Sequence, residues 1–338
     1  MLKHTFIFLF IVGLMTSCFK EDDPVPPHPK GELKEEVIPL TQYYVNQVYF
    51  NLSSGEQVSM NQKNDFDLSF SSADTGFIIR LNTSTFMKAA QSEYASIEQV
   101  TDTVGLKWKF DKSDGNPDST ALRQWIRIDG SDTSYLNKVW VIDRGINEAG
   151  FNLGLKKAKF SNLVDGKYHI TYSNMDNSGM NEMVIEKNSS YNYVQFSFEE
   201  NGFINQIEPE SDNWDIVFTQ YTTLLFTDEG EAYPYLVTGT LVNEKNTFVA
   251  FDSTLIFNEI DIDDVLQLNF TSNFDAIGYE WKELIGDING GDFYYDTKSK
   301  YNYIIRSQEG IYYKLHFLGF YNEETGEKGY PTFEYQRL

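Results

Sequence analysis

Residues 303–335 read YIIRSQEGIYYKLHFLGFYNEETGEKGYPTFEY, and the reading of this stretch decides the fold. Ile311, Tyr313, Leu315 and Phe317 recur at every second position, the period that puts side chains on one face of a strand and that no helix matches. Tyr312, Lys314 and His316 fall on the opposite face. Glu309-Gly310 separates this run from the preceding Tyr303–Arg306 run, where a hairpin turn needs a residue tolerant of positive φ. Working outward, Phe66, Leu68 and Phe70 share one face by the same rule, as do Trp214, Ile216 and Phe218. Turn residues bound the runs: Ser53-Ser54-Gly55, Asp114-Gly115-Asn116, Asn201-Gly202 and Gly290-Gly291. With 22 Tyr and 26 Phe, the composition suits half-buried pleated surfaces. The expected class is all-β, mainly antiparallel and sandwich-like. One or two short helices are expected in the N-terminal half, over Thr85 to Val100 and Ala121 to Ile126.

The pattern occurs twice. Tyr44 to Phe70 (YVNQVYFNLSSGEQVSMNQKNDFDLSF) lies over Tyr191 to Phe218 (YNYVQFSFEENGFINQIEPESDNWDIVF), with Gly55 answering Gly202 and Phe66-Asp67 answering Trp214-Asp215. A second block pairs Val139 to Tyr172 with Tyr303 to Tyr335, matching Gly150 and Phe160 to Gly310 and Phe320. Blocks that recur in order point to repeated units. Two related β-modules are expected, 41–188 and 189–338.

At the N-terminus, Lys3 and His4 precede an apolar run from Thr5 to Leu14 that closes as Met15-Thr16-Ser17-Cys18. An apolar run of roughly ten residues is a signal peptide (1–17), since a bilayer span takes about twenty. The junction resembles a lipobox, and Cys18 is the sole cysteine. It has no disulfide partner, so lipidation at Cys18 accounts for it. Lys20-Glu21-Asp22-Asp23 and the prolines at 24, 26, 27 and 29 form an acidic, extended tether over 18–40. The acidic patch beside the cysteine looks like the surface-export signal of Bacteroidetes lipoproteins. The expected location is the outer membrane, lipid-anchored and exposed at the cell surface.

Cleavage after residue 17 removes Lys3, leaving 26 of the 27 basic residues against 50 acidic ones. Nucleic acid is excluded as a partner on that balance, because phosphate binding needs clustered cations. No HExxH, GxSxG, phosphate loop or CxxC occurs, so no enzyme and no catalytic residue is expected. Asp261–Asp264 and Asp287–Asp292 superficially suggest calcium loops but miss the twelve-residue pattern, and solvated turns are the better reading. Asp102-Thr103-Val104, Asp118-Ser119-Thr120 and Asp252-Ser253-Thr254 resemble the O-glycosylation sequon of Bacteroidetes.

The second module resembles the HmuY family, haem-binding outer-membrane lipoproteins of Bacteroidetes. The matching segments are YVQFSFEENG at Tyr193–Gly202, NWDIVFTQY at Asn213–Tyr221 and the opening stretch at Tyr303–Tyr335; the first module is a diverged echo. The resemblance implies a β-rich body with two long fingers around a haem pocket, and delivery of cargo to a TonB-dependent outer-membrane receptor. Trp214, Asp215, Phe218, Gly310 and Lys314 carry the family signature and read as structural, with Asp215 bonding nearby backbone. The family holds iron with His or Met between the WD strand and the closing hairpin, yet between Tyr221 and Tyr303 this chain has no His, Met or Cys. Tyrosines could serve there, Tyr279 and Tyr294 among them. Elsewhere the candidates are Met87, His169 and His316. One histidine per module at comparable places suggests a metal pair, although strand histidines facing solvent are commoner. Two functions stay open: a carrier of haem or another small ligand, or a HmuY-like interaction, structural or glycan-binding scaffold without haem ligation.

Overall fold

The computed structural model describes residues 30–227, 229–287 and 290–338. Cys18, the signal peptide and the first part of the tether lie outside the described residues. Among the described residues, twenty-two strands follow in order. β1 (Lys34–Val37), β2 (Asn46–Asn51) and β3 (Glu56–Gln62) come first, then β4 (Leu68–Ser71), β5 (Ile79–Leu81) and β6 (Lys88–Gln91). A small ribbon, β7 (Ile126–Asp129) and β8 (Asp132–Tyr135), precedes β9 (Val139–Asp143), β10 (Leu155–Val164), β11 (Lys167–Asn174) and β12 (Asn181–Glu186). β13 (Tyr193–Ser197), β14 (Phe203–Ile204), β15 (Ile216–Phe226), β16 (Ala232–Val242) and β17 (Phe248–Asp252) open the second half. Helix α1 (Ile262–Val265), β18 (Lys282–Asp287), β19 (Asp292–Thr297), β20 (Asn302–Arg306), β21 (Tyr312–Tyr321) and β22 (Lys328–Arg337) close it.

The alternation read from the sequence is realised as antiparallel sheet. In the first half, β14-β13-β4-β5 packs on β12-β11-β10-β9-β6. Leu68, Phe70, Trp125, Phe160, Tyr168 and Phe196 fill the space between. In the second half, β16-β15-β2-β3 packs on β1-β22-β21-β20-β17 around Val48, Phe50, Ile216, Phe218, Leu315, Phe317 and Phe333.

These orders contain an exchange. Hairpin β2–β3, early in the chain, adds to the second half through Phe50 opposite Ile216 and Val48 opposite Phe218. Hairpin β13–β14, from the second repeat, adds to the first half through Phe196 opposite Leu68 and Val194 opposite Phe70. A cut at residue 188 therefore separates strands that are hydrogen-bonded to one another. Val48, Phe50 and Phe196 are fully buried, and each such side chain contributes about 1.5–3 kcal/mol by leaving water.

The repeats superpose bond for bond at the exchange. Asp67 N–H donates to Phe196 O at 2.8 Å and Asp215 N–H to Phe50 O at 2.9 Å. The Asn82 side chain donates to Lys63 O and Phe66 O, and that of Asn243 to Ser211 O and Trp214 O. Deeper in each half a buried lysine ties down a 3-10 turn. Lys157 Nζ donates to Ile97 O at 3.0 Å and Val100 O at 2.9 Å, and Lys314 Nζ to Phe257 O at 2.6 Å and Ile260 O at 3.4 Å. This equivalence corrects the register of the second repeated block: Lys157 and Phe160 answer Lys314 and Phe317, not Phe317 and Phe320.

Two local expectations fail. No helix covers Thr85 to Val100: Phe86 adopts φ 64°, β6 follows, and only Ile97–Gln99 form a 3-10 turn. Of the residues at helical spacing, Phe86 precedes β6, Ala90 lies in it, Tyr94 is exposed and Ile97 sits in the 3-10 turn. Between Ala121 and Ile126 only Arg123–Trp125 form a 3-10 turn. Among the described residues the α-helix is α1, in the second half, where Asp261 and Asp264 build a capping box. The first of the two calcium-like acidic runs is thus a helix cap.

Candidate ligand cleft

Ribbon β15–β16 is eleven residues long on each strand, yet β2 pairs with β15 only over Ile216–Phe218. Beyond that point the ribbon projects, and Leu224, Phe226, Tyr233 and Tyr235 are exposed. The Tyr233 and Tyr235 rings meet edge to face at 6.3 Å. The ribbon is braced against the first half: Thr222 Oγ1 donates to Thr83 O at 2.8 Å. Ser113 Oγ donates to Asp275 Oδ2 at 2.6 Å and lies 2.9 Å from Thr223 Oγ1.

Around this brace runs a cleft with two lobes. One, about 520 Å³, is walled by Trp108, Phe110, Leu224 and Pro234, with Lys109 and Lys112 exposed at its rim. The other, about 470 Å³, is walled by Tyr221, Phe251, Tyr279, Glu280, Tyr301 and Tyr303. Thr223, Leu224 and Asp275 line both. Each lobe falls within the size range of small-molecule sites, roughly 300–1,000 Å³.

The two lobes differ electrically. Burial, with Asp114 nearby, raises the Asp275 pKa, and the Ser113 hydrogen bond only partly offsets this. Tyr221 is pushed well up by burial, then by Asp275, Tyr279 and Glu280. Tyr279 is raised by burial and next by Glu280 and Tyr233. The surroundings of Tyr221 and Tyr279 therefore oppose phenolate and keep both as hydroxyl donors. The first lobe combines apolar walls with Lys109 and Lys112 at its rim and Asp111, Asp114 and Asp275 in its lining.

Of the residues singled out from the sequence, Tyr279 lines this cleft. Tyr294 is exposed on β19, opposite Ile285, and lines neither lobe. Met87 is packed into the core of the first half. His169 sits on β11 opposite Val184, whereas His316 sits on β21, the counterpart of β10. The two histidines are therefore not equivalent, and the suggested pair dissolves. His316 stacks on Phe257 with centroids 3.8 Å apart, and its Nε2 lies 2.7 Å from Glu334 Oε1. Among the described residues, no group of three or more His, Cys, Asp or Glu is placed to hold a metal.

The signature residues are structural. Asp215 accepts Leu52 N–H at 2.9 Å and Gln308 N–H at 3.1 Å. Gly310 has φ 79°, and Phe218 lies in the second core. Lys314 is buried over α1's side of the sheet, not displayed on an open face. Trp214 departs from expectation: it packs with Tyr49 and Val217, apart from Ile216 and Phe218. β15 begins only at Ile216, so the alternation does not extend back to Trp214. Trp108, Phe110, Ser113 and Asp275, which shape the cleft, carry no sequence signal.

The HmuY protein family matches this chain twice, over residues 43–194 and 189–335. The chain belongs to the HmuY family and contains two copies of its unit. No curated protein matches it. Similar solved structures include an apo HmuY analogue of Tannerella forsythia, 17% identical, covering 44% of this chain and 97% of its own, with a TM-score of 0.20. Apo PinO from Porphyromonas gingivitis is 10% identical, covering 92% of this chain and 98% of its own, with a TM-score of 0.29. A Bacteroides fragilis chain described as a lipoprotein is 11% identical, with 90% of each chain covered and a TM-score of 0.23.

Proposed function

We propose that this HmuY-family chain is a non-enzymatic, lipid-anchored envelope protein that binds a planar, largely apolar molecule bearing carboxylates. Haem is the reference case, and an outer-membrane receptor of the TonB-dependent kind is the recipient. One observation carries the reading: a cleft of ligand size with Trp108, Phe110, Leu224 and Pro234 as walls and Lys109 and Lys112 at the rim. The walls suit a flat apolar ring, and the rim lysines suit its carboxylates. The iron fits less well. Neither lobe is lined by His, Met or Cys, and burial with neighbouring acids opposes phenolate at Tyr221 and Tyr279, so no axial pair is at hand. Recognition then runs through the ring and its carboxylates.

The test is a titration of the soluble chain, from residue 32 onward, with haem and with iron-free protoporphyrin. Saturable one-to-one binding of both, with affinities within a few-fold and no six-coordinate low-spin bands, is the expected result. Trp108→Ala should weaken both about tenfold. Absence of saturable binding by either sinks the carrier reading. The missing axial ligands would then favour the other function, a family scaffold serving interactions or glycan binding. Anchoring and surface exposure are tested separately, by fatty-acid labelling that Cys18→Ala abolishes and by protease access on intact cells.

A further inference from the structure

The two exchanged sheets, β14-β13-β4-β5 and β16-β15-β2-β3, enclose a second cavity of about 140 Å³ between them. Its lining is unlike either core. Where the cores bury Phe, Leu and Val, this space is faced by the buried Gln47 and Tyr49 from β2, Gln195 from β13 and Glu208, and by the charged Arg80, Asp111 and Glu244. Burying such groups is unfavourable unless each is hydrogen-bonded. Part of that demand is met internally: Gln47 Nε2 donates to Tyr49 Oη at 2.8 Å, and Gln195 Nε2 donates to Glu208 Oε2 at 3.1 Å. Part is not. Trp214, 6% exposed, lines the cavity, and its buried indole Nε1 has no protein partner. Tyr49 meets the Trp214 ring edge to face at 4.9 Å, so aromatic carbon and amide groups border the same space. Lys112 and Ser113 line both this cavity and the first lobe of the cleft, which gives it a way in.

At about 30 Å³ per water, the cavity has room for about five waters or for one molecule with on the order of ten non-hydrogen atoms. We propose that it is a second ligand site, separate from the cleft, for a small neutral polyhydroxylated molecule of monosaccharide size. The hydroxyls exchange hydrogen bonds with Gln47, Gln195 and the Trp214 indole, and the C–H faces lie against Trp214 and Tyr49. A neutral ligand is favoured, because the charged groups of the lining already have partners: Arg80 lies 3.8 Å from Glu244, and Asp111 accepts the N–H groups of Leu81 and Ala121.

The experiment is calorimetric titration of the full soluble chain with D-glucose, N-acetylglucosamine and myo-inositol, with tryptophan fluorescence followed in parallel. At least one probe should bind one-to-one with a Kd below about 10 mM. Trp214→Phe, which removes the unpaired donor and keeps a ring, should weaken that binding about tenfold; Trp108→Ala, in the cleft, should leave it unchanged. If Trp214→Phe fails to give a native near-UV spectrum, Gln47→Leu is read in its place. Absence of binding by all three probes overturns the proposal and leaves water as the occupant. Binding that survives the cavity variant, or that Trp108→Ala abolishes, overturns it too. Porphyrin binding in the cleft is scored independently, so failure here and failure there are distinguishable.

Discussion

The carboxylate of Asp215 accepts the backbone N–H of Leu52 at 2.9 Å, across 163 positions of sequence. In the other half Asp67 accepts the N–H of Phe198 at 2.7 Å, across 131. Each aspartate fastens the hairpin that has come over from the opposite repeat. A carboxylate that accepts backbone N–H groups makes charge-assisted bonds, about twice as strong as neutral ones.

The halves should stay together after the chain between them is cut. With a protease site inserted at Ser189, which is exposed, cleavage of the folded chain should leave the elution volume and near-UV spectrum unchanged. The fragments should part only in denaturant. Separation in native buffer would show that the exchange contributes little.

Asp67 also pairs with Arg144, Oδ1 to Nε at 2.7 Å and Oδ2 to Nη2 at 3.2 Å, with both side chains buried. Asp67→Ala should cost about 3 kcal/mol in urea unfolding, because it strips a buried guanidinium of its main partner. Arg144→Met on that background should recover part of the loss. A cost below about 1 kcal/mol would contradict the geometry.

Lys157→Met and Lys314→Met should each destabilise by about 1–3 kcal/mol, since each removes the ammonium that two carbonyls of a 3-10 turn share. The sites belong to separate halves, so the double variant should show the sum within about 0.5 kcal/mol. Chemical denaturation of the three variants checks both statements.

Burial raises the Glu208 carboxyl from 4.5 to about 8. Between those values the folded chain holds a proton that the unfolded chain releases. Its contribution is therefore complete below about pH 4.5 and is lost as pH rises towards 8. Asp111, raised to about 6, acts in the same direction, while Lys282 and Lys63, lowered to about 7 and 8, act oppositely at higher pH. Glu208→Gln should flatten the fall in stability between pH 5 and 7 by about 2 kcal/mol. An unchanged slope would contradict the assignment.

Strand identity was legible because the period of two at Leu68–Phe70 and Ile311–Phe317 does not fit a helix, although Phe66, like Trp214, precedes its strand. Thr85 to Val100 misled because Ala90, Tyr94 and Ile97 fall at helical spacing by coincidence, and a single positive φ at Phe86 leaves little trace in composition. The exchange was illegible for a different reason. Val48 and Phe50 present the same alternating pattern whichever sheet receives them, so only tertiary pairing distinguishes the alternatives. The cleft joins Trp108 and Ser113, Leu224, and Asp275 from three separate segments, none with a motif of its own.

A chain that emerges from its N-terminus cannot complete either half in the order it is made. Hairpin β2–β3 has no sheet to join until β15 arrives more than 150 residues later, and β4 waits for β13. Until then two strand edges stand open, the condition under which chains pair wrongly with one another. Contacts this distant in sequence also slow the search for the native state. The fused arrangement therefore places a kinetic burden on biogenesis, met by whatever shields the early hairpin while the second repeat is still being delivered.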